Sequence, residues 1–131
     1  MDIFKEFATD LAKEEDGVEV DIGSGAVLKL ARTGTKDYNK LVNKLFTANK
    51  RVLDLKNDAA NTLSDNLMAE VLAKTVLKGW SGIEEDGKEL PYSVENAQRL
   101  LRIKDFRALV IEKAGDMTNY KLAVEEEISG N

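Results

Sequence analysis

The sequence predicts a mainly α-helical domain of the α+β class, with five to six helices and one N-terminal β-hairpin. Apolar residues recur at steps of three and four through most of the chain after residue 34, which is the period of helices that bury one side. A short stretch before residue 34 instead alternates apolar and acidic residues, as a strand with one solvated face does. At 131 residues, the chain is long enough to bury a core as one domain.

The predicted single domain, residues 1–131, has three parts. Residues 1–33 supply a helix and the hairpin, residues 34–128 supply the helical core, and residues 125–131 form a frayed end. Fraying is expected because three adjacent glutamates, Glu125 to Glu127, oppose the macrodipole at a helix C-terminus.

The first predicted element is an amphipathic helix over residues 2–14. Its apolar stripe consists of Ile3, Phe4, Phe7, Ala8 and Leu11. We expect this stripe to pack on the core; the alternative is a helix that binds a partner through the same stripe.

The hairpin follows the first helix. Val18, Val20 and Ile22 alternate with acidic residues, Gly23-Ser24-Gly25 forms the turn, and Val27 to Arg32 is the return strand. We expect this hairpin to be the only sheet. An isolated hairpin is marginal in water, so its apolar face must lie on helices, or its exposed edge must pair with another chain.

The remaining elements are helices. One begins at the N-cap Thr35 and runs to about Leu55, with a buried seam. The seam residues are Tyr38, Leu41, Leu45, Ala48, Val52 and Leu55. The next runs from Ala59 to about Lys78 and stops at Gly79. Further N-caps are predicted at Ser93, Asp105 and Asp116, and the helix after Asp105 ends at Ala114-Gly115.

Composition argues against catalysis. The chain has no cysteine and no histidine, which removes the usual thiolate nucleophile, the usual proton-transfer group near neutral pH and the commonest metal ligands. The glycines of the hairpin turn lack the Gly-Lys-Ser/Thr ending of a phosphate loop, and Glu84-Glu85-Asp86-Gly87 lacks the ligand spacing of a calcium loop. We therefore predict a binding protein that is not an enzyme, with no catalytic residues, no metal and no cofactor. No apolar run approaches the ~18 residues of a membrane span.

Charge is distributed unevenly. Residues 32–56 carry seven basic and two acidic side chains in a protein of net charge −5. Lys36, Lys40 and Lys44 form a stripe on one side of their helix. A solvated face, an acidic partner, the protein's own acidic parts and nucleic acid all fit such a stripe. Nucleic acid is the weakest of these, because no aromatic residues are interleaved with the lysines and no arginine fork accompanies them.

The connection from residue 78 to residue 96 contains the only tryptophan and the only proline. Trp80 lies between two glycines, and an acidic Asp86-Gly87 turn and the sequence Pro91-Tyr92-Ser93 follow it. The indole of Trp80 either fills a gap where two helices diverge, with its N–H bonded to a carbonyl, or forms a hot spot for a partner.

This ordered set of residues resembles the tail assembly chaperones of long-tailed bacteriophages. In that family, Lys-Gly-Trp after a helix is followed by an Asp-Gly turn, then Pro-Tyr-Ser-x-Glu-Asn and a leucine-rich helix. Here these are Lys78-Gly79-Trp80, Asp86-Gly87 and Pro91 to Asn96; with Tyr120, the resemblance covers Leu67 to Val124. The resemblance implies a short form encoded between the tail tube and tape measure genes, which a frameshifted extension can join at residues 125–131.

The resemblance also implies function and partners. Such chaperones are not enzymes; they act in the cytoplasm of the bacterial host, hold the tape measure protein soluble, recruit tail tube protein around it and leave before the virion is complete. An apolar groove or strand edge that shields a client often self-associates, so a weak homo-oligomer is expected. Candidate partner-binding residues come from the hairpin edge, the lysine stripe and the tryptophan connection: Val27, Lys29, Lys40, Lys44, Trp80 and Tyr92. The alternative is a small regulatory protein that binds nucleic acid through Lys36, Lys40 and Lys44.

Overall fold

The computed structural model describes residues 1–123. Within them the chain forms seven α-helices, five β-strands and one 3-10 helix. In chain order these are α1 (Ile3–Glu6), α2 (Leu11–Asp16), β1 (Val18–Gly23), β2 (Ala26–Leu30), α3 (Lys36–Ala48), α4 (Lys50–Leu53), α5 (Asp58–Thr75), β3 (Leu77–Ser81), β4 (Glu84–Glu85), β5 (Lys88–Glu89), α6 (Val94–Leu101), α7 (Lys104–Gly115) and the 3-10 helix (Met117–Tyr120).

The predicted fold class is wrong in its elements. The sequence predicts five to six helices and one N-terminal hairpin as the only sheet. Residues 1–123 instead form seven helices and five strands, and the strands are arranged in two sheets. The hairpin does not begin the chain, because two short helices precede it. The single helix predicted over residues 2–14 is split: Asp2 caps α1, and the carboxylate of Asp10 accepts hydrogen bonds from two backbone N–H groups to begin α2.

The larger sheet has the order β1-β2-β3 and is antiparallel throughout. The helix predicted to reach Lys78 ends instead at Thr75, because Leu77 to Ser81 pair with β2. β2 is thus the central strand, and β3 covers Val27 to Leu30 of the edge that was predicted, from Val27 to Arg32, to be available to a partner. A hairpin that is marginal alone gains here the third strand that it needs.

The smaller sheet is the two-residue pair β4–β5. Its turn contains Asp86 and Gly87, whose φ angles of 52° and 77° lie in the left-handed region that tight hairpin turns use. Backbone hydrogen bonding continues just beyond this pair, where the N–H of Leu90 donates to the carbonyl of Ile83 at 2.8 Å. The connection after Trp80 is therefore a folded hairpin.

The helices after the sheet pack with unequal depth. The helix predicted from Thr35 to Leu55 is interrupted at Asn49, and neither α3 nor α4 contains a buried residue. The predicted buried seam is wrong in its second half, because Ala48, Val52 and Leu55 are exposed. By contrast, α5 buries seven residues, since the larger sheet, α3 and α6 all contact it. Ser93 caps α6 as predicted.

Two predictions near the C-terminus need correction. Helix α7 begins at Lys104 after Ile103 and has no side-chain cap, so the predicted cap at Asp105 is wrong. The helix predicted after Asp116 is a single 3-10 turn, since Lys121 pairs with Thr9 in a β-bridge. The predicted frayed end at residues 125–131 lies outside the described residues.

One hydrophobic cluster joins the inner face of the larger sheet to the helices α5, α6 and α7. Its members are Val20, Leu28, Leu30, Ala69, Leu72, Ala73, Val76, Leu77, Ala97, Leu101, Val110 and Ala114. Trp80 and Tyr92 are partly buried against this cluster, so the core positions the connection that carries them.

Candidate partner-binding surfaces

Trp80 is half-buried on β3 and fastens the hairpin that follows it. Its indole N–H donates a hydrogen bond of 2.8 Å to the carbonyl of Leu90, which confirms the predicted bond to a carbonyl. The ring meets the ring of Tyr92 edge to face, with 4.9 Å between the centroids and 74° between the planes. The connection from residue 81 to residue 91 is thus held at both ends by side chains.

The hydroxyl of Tyr92 also has a hydrogen-bond partner within the protein. Its hydroxyl donates a hydrogen bond of 2.7 Å to the carbonyl of Leu77, and burial raises its pKa. Because the polar atoms of both rings bond to the protein itself, only their remaining apolar area is open to a partner. The structure thus gives this pair a structural role and leaves binding at its exposed edge as a prediction.

Val27 and Lys29 lie close to Trp80. Both are on β2, on the face of the sheet away from the core, where their cross-strand neighbours are Ser81 and Gly79. Together with Trp80 these residues border a shallow cavity of about 160 Å³. Val27, Lys29 and Trp80 therefore border one cavity, while Tyr92 contacts only the Trp80 ring among these residues. Trp80 is paired across the strands with the buried Leu28, so its ring packs toward the core and not beside Val27 and Lys29.

The lysine stripe lies on a different element. Lys40 and Lys44 are exposed on α3, which packs against α5. Lys36, at the start of the stripe, borders a cleft of about 440 Å³ together with Glu15 and Asp16 from the end of α2. None of the three lysines forms an ion pair with another residue of the described chain.

Sequence reasoning assigned the most exposed apolar residues to the core. Phe4 is 92% exposed and Leu11 is 68% exposed, so the stripe predicted to pack inward faces solvent. We call this stretch the N-terminal apolar surface; it comprises Met1, Ile3, Phe4, Phe7 and Leu11. The helical period of the stripe was a correct signal of amphipathicity, but the period alone does not tell a core from a partner.

Polar contacts join the segment that follows α1 to the C-terminal end of the described chain. The backbone N–H of Asp10 donates to the carbonyl of Tyr120 at 2.8 Å, and the Lys13 ammonium donates to the carbonyl of Lys121 at 3.0 Å. Thr9 and Lys121 form a β-bridge. These contacts hold residues 9–13, while α1, which precedes them, contains no buried residue.

Tyr120 anchors this junction from the inside. It is fully buried, and its hydroxyl donates a hydrogen bond of 3.1 Å to the carbonyl of Leu30 on β2. The guanidinium of Arg32 lies 5.7 Å from the centre of the Tyr120 ring and pairs with Glu14 of α2 at 3.4 Å. Burial raises the pKa of Tyr120 to about 12.

Among residues 1–123, no group of three or more acidic side chains is placed to hold a metal ion. No helix in this part of the chain is long and apolar enough to cross a membrane.

A known protein family matches most of the chain. The model of the family described as YdaY prophage protein matches residues 33–131, about three quarters of the chain. The match includes α3 to α7 and the connection that carries Trp80 and Tyr92, whereas the N-terminal apolar surface precedes it. Searches of curated proteins and of solved structures found no match.

Proposed function

We propose, because the chain belongs to the YdaY prophage protein family and is of phage origin, that it is a tail assembly chaperone without enzymatic activity. In this role it binds the tape measure protein, keeps it soluble and promotes assembly of the tail tube protein around it. It acts in the cytoplasm of the bacterial host and is absent from the finished particle. The resemblance of Lys78-Gly79-Trp80, Asp86-Gly87 and Pro91 to Asn96 to such chaperones supports the proposal, and these residues lie inside the matched range.

The observation that carries the proposal is the exposure of the N-terminal apolar surface. A small soluble protein seldom leaves two phenylalanines and a leucine in water within eleven residues unless they meet a partner. A long aggregation-prone client offers amphipathic helices whose apolar sides need temporary cover. The exposed side chains of α1 supply that cover without any change in the core, because α1 contains no buried residue.

The test is co-expression with the tape measure protein of the same genome. We expect the client to become soluble and to co-purify with the wild-type chain. The variant Phe4→Ser/Phe7→Ser should lower the soluble fraction, while its unfolding midpoint stays near that of the wild type, because both side chains are exposed. Ile103→Ser/Ile111→Ser, which changes two exposed apolar residues elsewhere, is the matched control.

Two outcomes would contradict the proposal. A client that stays insoluble beside abundant wild-type chain would remove the chaperone function. A client solubilised equally by the wild type and by Phe4→Ser/Phe7→Ser would move the binding surface away from the N-terminus, toward the neighbourhood of Trp80.

The contribution of Trp80 can be separated from its structural role. Trp80→Phe keeps an aromatic ring but loses the hydrogen bond to Leu90, which should lower the free energy of unfolding by about 1 kcal/mol. If Trp80 contacts the client, client binding per folded molecule falls as well. Loss of stability with unchanged binding per folded molecule would refute a direct role.

A second candidate function is nucleic-acid binding, and the exposed Lys36, Lys40 and Lys44 favour it. Three lysines that each neutralise one phosphate give log K against log salt a slope of about −2.7 on duplex DNA. Binding measured by fluorescence anisotropy at several salt concentrations tests this. Absence of binding at low salt, or binding that Lys40→Glu/Lys44→Glu leaves intact, would contradict it.

A further inference from the structure

The N-terminal apolar surface has an acidic border. Residues 1–16 contain six acidic side chains and two lysines. Glu14 is engaged by Arg32 and Thr9, and the ammonium of Lys13 is engaged by the carbonyl of Lys121. Asp2, Glu6, Glu15 and Asp16 are exposed and form no ion pair within the described chain. Apolar side chains with unpaired acids beside them suit an apolar partner with basic residues around it.

The chain itself offers such a partner surface near the end of α3 and in α4. Leu55 is 63% exposed, Val52 is 38% exposed, and Ala48 is also exposed. Ala48 is the last residue of α3, Val52 lies in α4 and Leu55 follows α4, so all three come from one exposed stretch of chain around the break at Asn49. Exposed basic residues accompany them: Lys44, Arg51 and Lys56. We call these six residues the basic apolar face.

The side of α3 and α4 that faces α5 is already occupied. Both α3 and α4 contact α5, and Tyr38, Leu41 and Leu45 are half-buried there. The basic apolar face therefore has no cover among residues 1–123. Over residues 36–56 the balance is six basic against two acidic side chains, the reverse of residues 1–16.

One copy of the chain does not bring these two surfaces together. Glu15 and Asp16 border the same cleft as Lys36, at the N-terminal end of α3. The 13 residues of α3 span about 20 Å at 1.5 Å per residue, and the basic apolar face begins near the far end. At physiological salt, charges separated by more than about 8 Å are largely screened, so the acidic border of one surface does not neutralise the basic residues of the other within one copy.

We propose that the N-terminal apolar surface of one copy docks on the basic apolar face of a second copy. The contact is head to tail, so each docked pair still exposes one surface of each kind and can add further copies. Phe4 and Phe7 lie against Val52 and Leu55, and the acids of α1 and α2 lie near Lys44 and Arg51. The inference does not depend on the proposed chaperone function, since it uses only surfaces of this chain.

Sedimentation velocity of the full chain at low and high salt tests the proposal. The wild type should exceed the 14.5 kDa of one chain as concentration rises, and added salt should weaken the association. Phe4→Asp disables one surface and Lys44→Glu/Arg51→Glu disables the other. Each should weaken self-association about tenfold or more, equivalent to about 1.4 kcal/mol. All three side chains are exposed, so the variants should fold normally.

Mixing the two variants is the decisive step. Phe4→Asp retains a working basic apolar face, and Lys44→Glu/Arg51→Glu retains a working N-terminal apolar surface. An equimolar mixture should therefore form pairs of twice the single-chain mass that do not grow further. As controls, Val94→Asp and Arg102→Glu/Lys104→Glu alter exposed residues elsewhere and should associate like the wild type.

Several outcomes would overturn the proposal. A wild type that remains monomeric at all concentrations has no such contact. Recovery of no pairs on mixing would indicate that one surface meets its own copy, as in a symmetric dimer. A monomeric chain whose Lys44 and Arg51 instead bind duplex DNA would assign the basic apolar face to nucleic acid.

Discussion

Replacing Tyr120 by phenylalanine removes one buried hydroxyl and tests how the C-terminal end of the described chain is held against β2. The ring is fully buried and its hydroxyl donates to the carbonyl of Leu30 at 3.1 Å. Loss of one such neutral hydrogen bond costs about 1 kcal/mol at neutral pH. We expect the free energy of unfolding of Tyr120→Phe to be lower than that of the wild type by about this amount.

The difference in free energy of unfolding between the wild type and Tyr120→Phe should disappear and then reverse at alkaline pH. Burial raises the pKa of Tyr120 to about 12 in the folded chain, while an unfolded tyrosine titrates near 10. The folded state therefore favours the neutral phenol, and this contribution is fully present below pH 10 and lost as the pH rises to 12. Two pKa units correspond to about 2.7 kcal/mol, of which about 1.4 kcal/mol is lost by pH 11. Phenylalanine has no such loss, so the two proteins should be about equally stable near pH 11.

Urea unfolding followed by circular dichroism, at several pH values for both proteins, measures this difference. Other groups titrate in the same range, but they do so in both proteins and cancel in the comparison. Tyr38→Phe is the control: Tyr38 is half-buried, and the alkaline loss caused by Tyr120 should persist in it. A stability difference between wild type and Tyr120→Phe that stays constant from about pH 8 to pH 11 would refute the reasoning.

Two further predictions concern stability, both measured by urea unfolding. Gly82→Ala should lower the free energy of unfolding by about 3 kcal/mol or more, because φ is +75° and the new Cβ would lie 2.2 Å from the carbonyl oxygen of Gly25. Gly87→Ala, at φ +77° with no atom within 4 Å of the new Cβ, should cost only about 1 kcal/mol. Equal costs for the two substitutions would contradict the close approach at Gly82. Arg107→Met should cost about 2–3 kcal/mol, because its buried guanidinium donates to two carbonyls at the end of α6. Its ion-pair partner Asp65 is mostly exposed, so Asp65→Asn should cost less than about 1 kcal/mol, and a larger loss would show that the ion pair carries the effect.

Local signals in the sequence predicted the local structure well. The caps Thr35 and Ser93 begin α3 and α6 because a side-chain oxygen three residues before a free backbone N–H is a short-range arrangement. The alternation around Val20 likewise predicts β1, because one face of that strand is solvated. The Asp86-Gly87 turn follows from the backbone preferences of its own two residues.

Non-local pairing is what the sequence reasoning missed. The helical pattern of α5 predicts a helix as far as Lys78, yet Leu77 to Ser81 form β3, because β2 lies about fifty residues earlier in the chain and offers an unpaired edge. The intrinsic helix propensity of a segment is overridden when the segment can form backbone hydrogen bonds with an unpaired strand edge. The same pairing covers the edge of β2 at Val27 and so removes it as a partner surface.

The candidate binding surfaces likewise depend on contacts between distant parts of the chain, which the sequence pattern does not reveal. An apolar stripe at helical spacing looks alike whether its partner is the core or another molecule, so the exposure of Phe4 follows only from the packing of the remaining elements. Trp80 was identified because a single tryptophan between glycines is conspicuous, but its bond to Leu90 depends on the fold of β4 and β5.

The bridge between Thr9 and Lys121 has a consequence for the order of folding. Closing a loop that holds nearly the whole described chain is entropically costly, so this contact forms late. During translation Phe4 leaves the ribosome early, and Tyr120, which accepts the hydrogen bond from Asp10, leaves it more than a hundred residues later. The contacts of Thr9 and Asp10 with Lys121 and Tyr120 therefore form only after those late residues have been synthesised. The exposed apolar side chains of α1 are accessible to another polypeptide before the protein that carries them has finished folding.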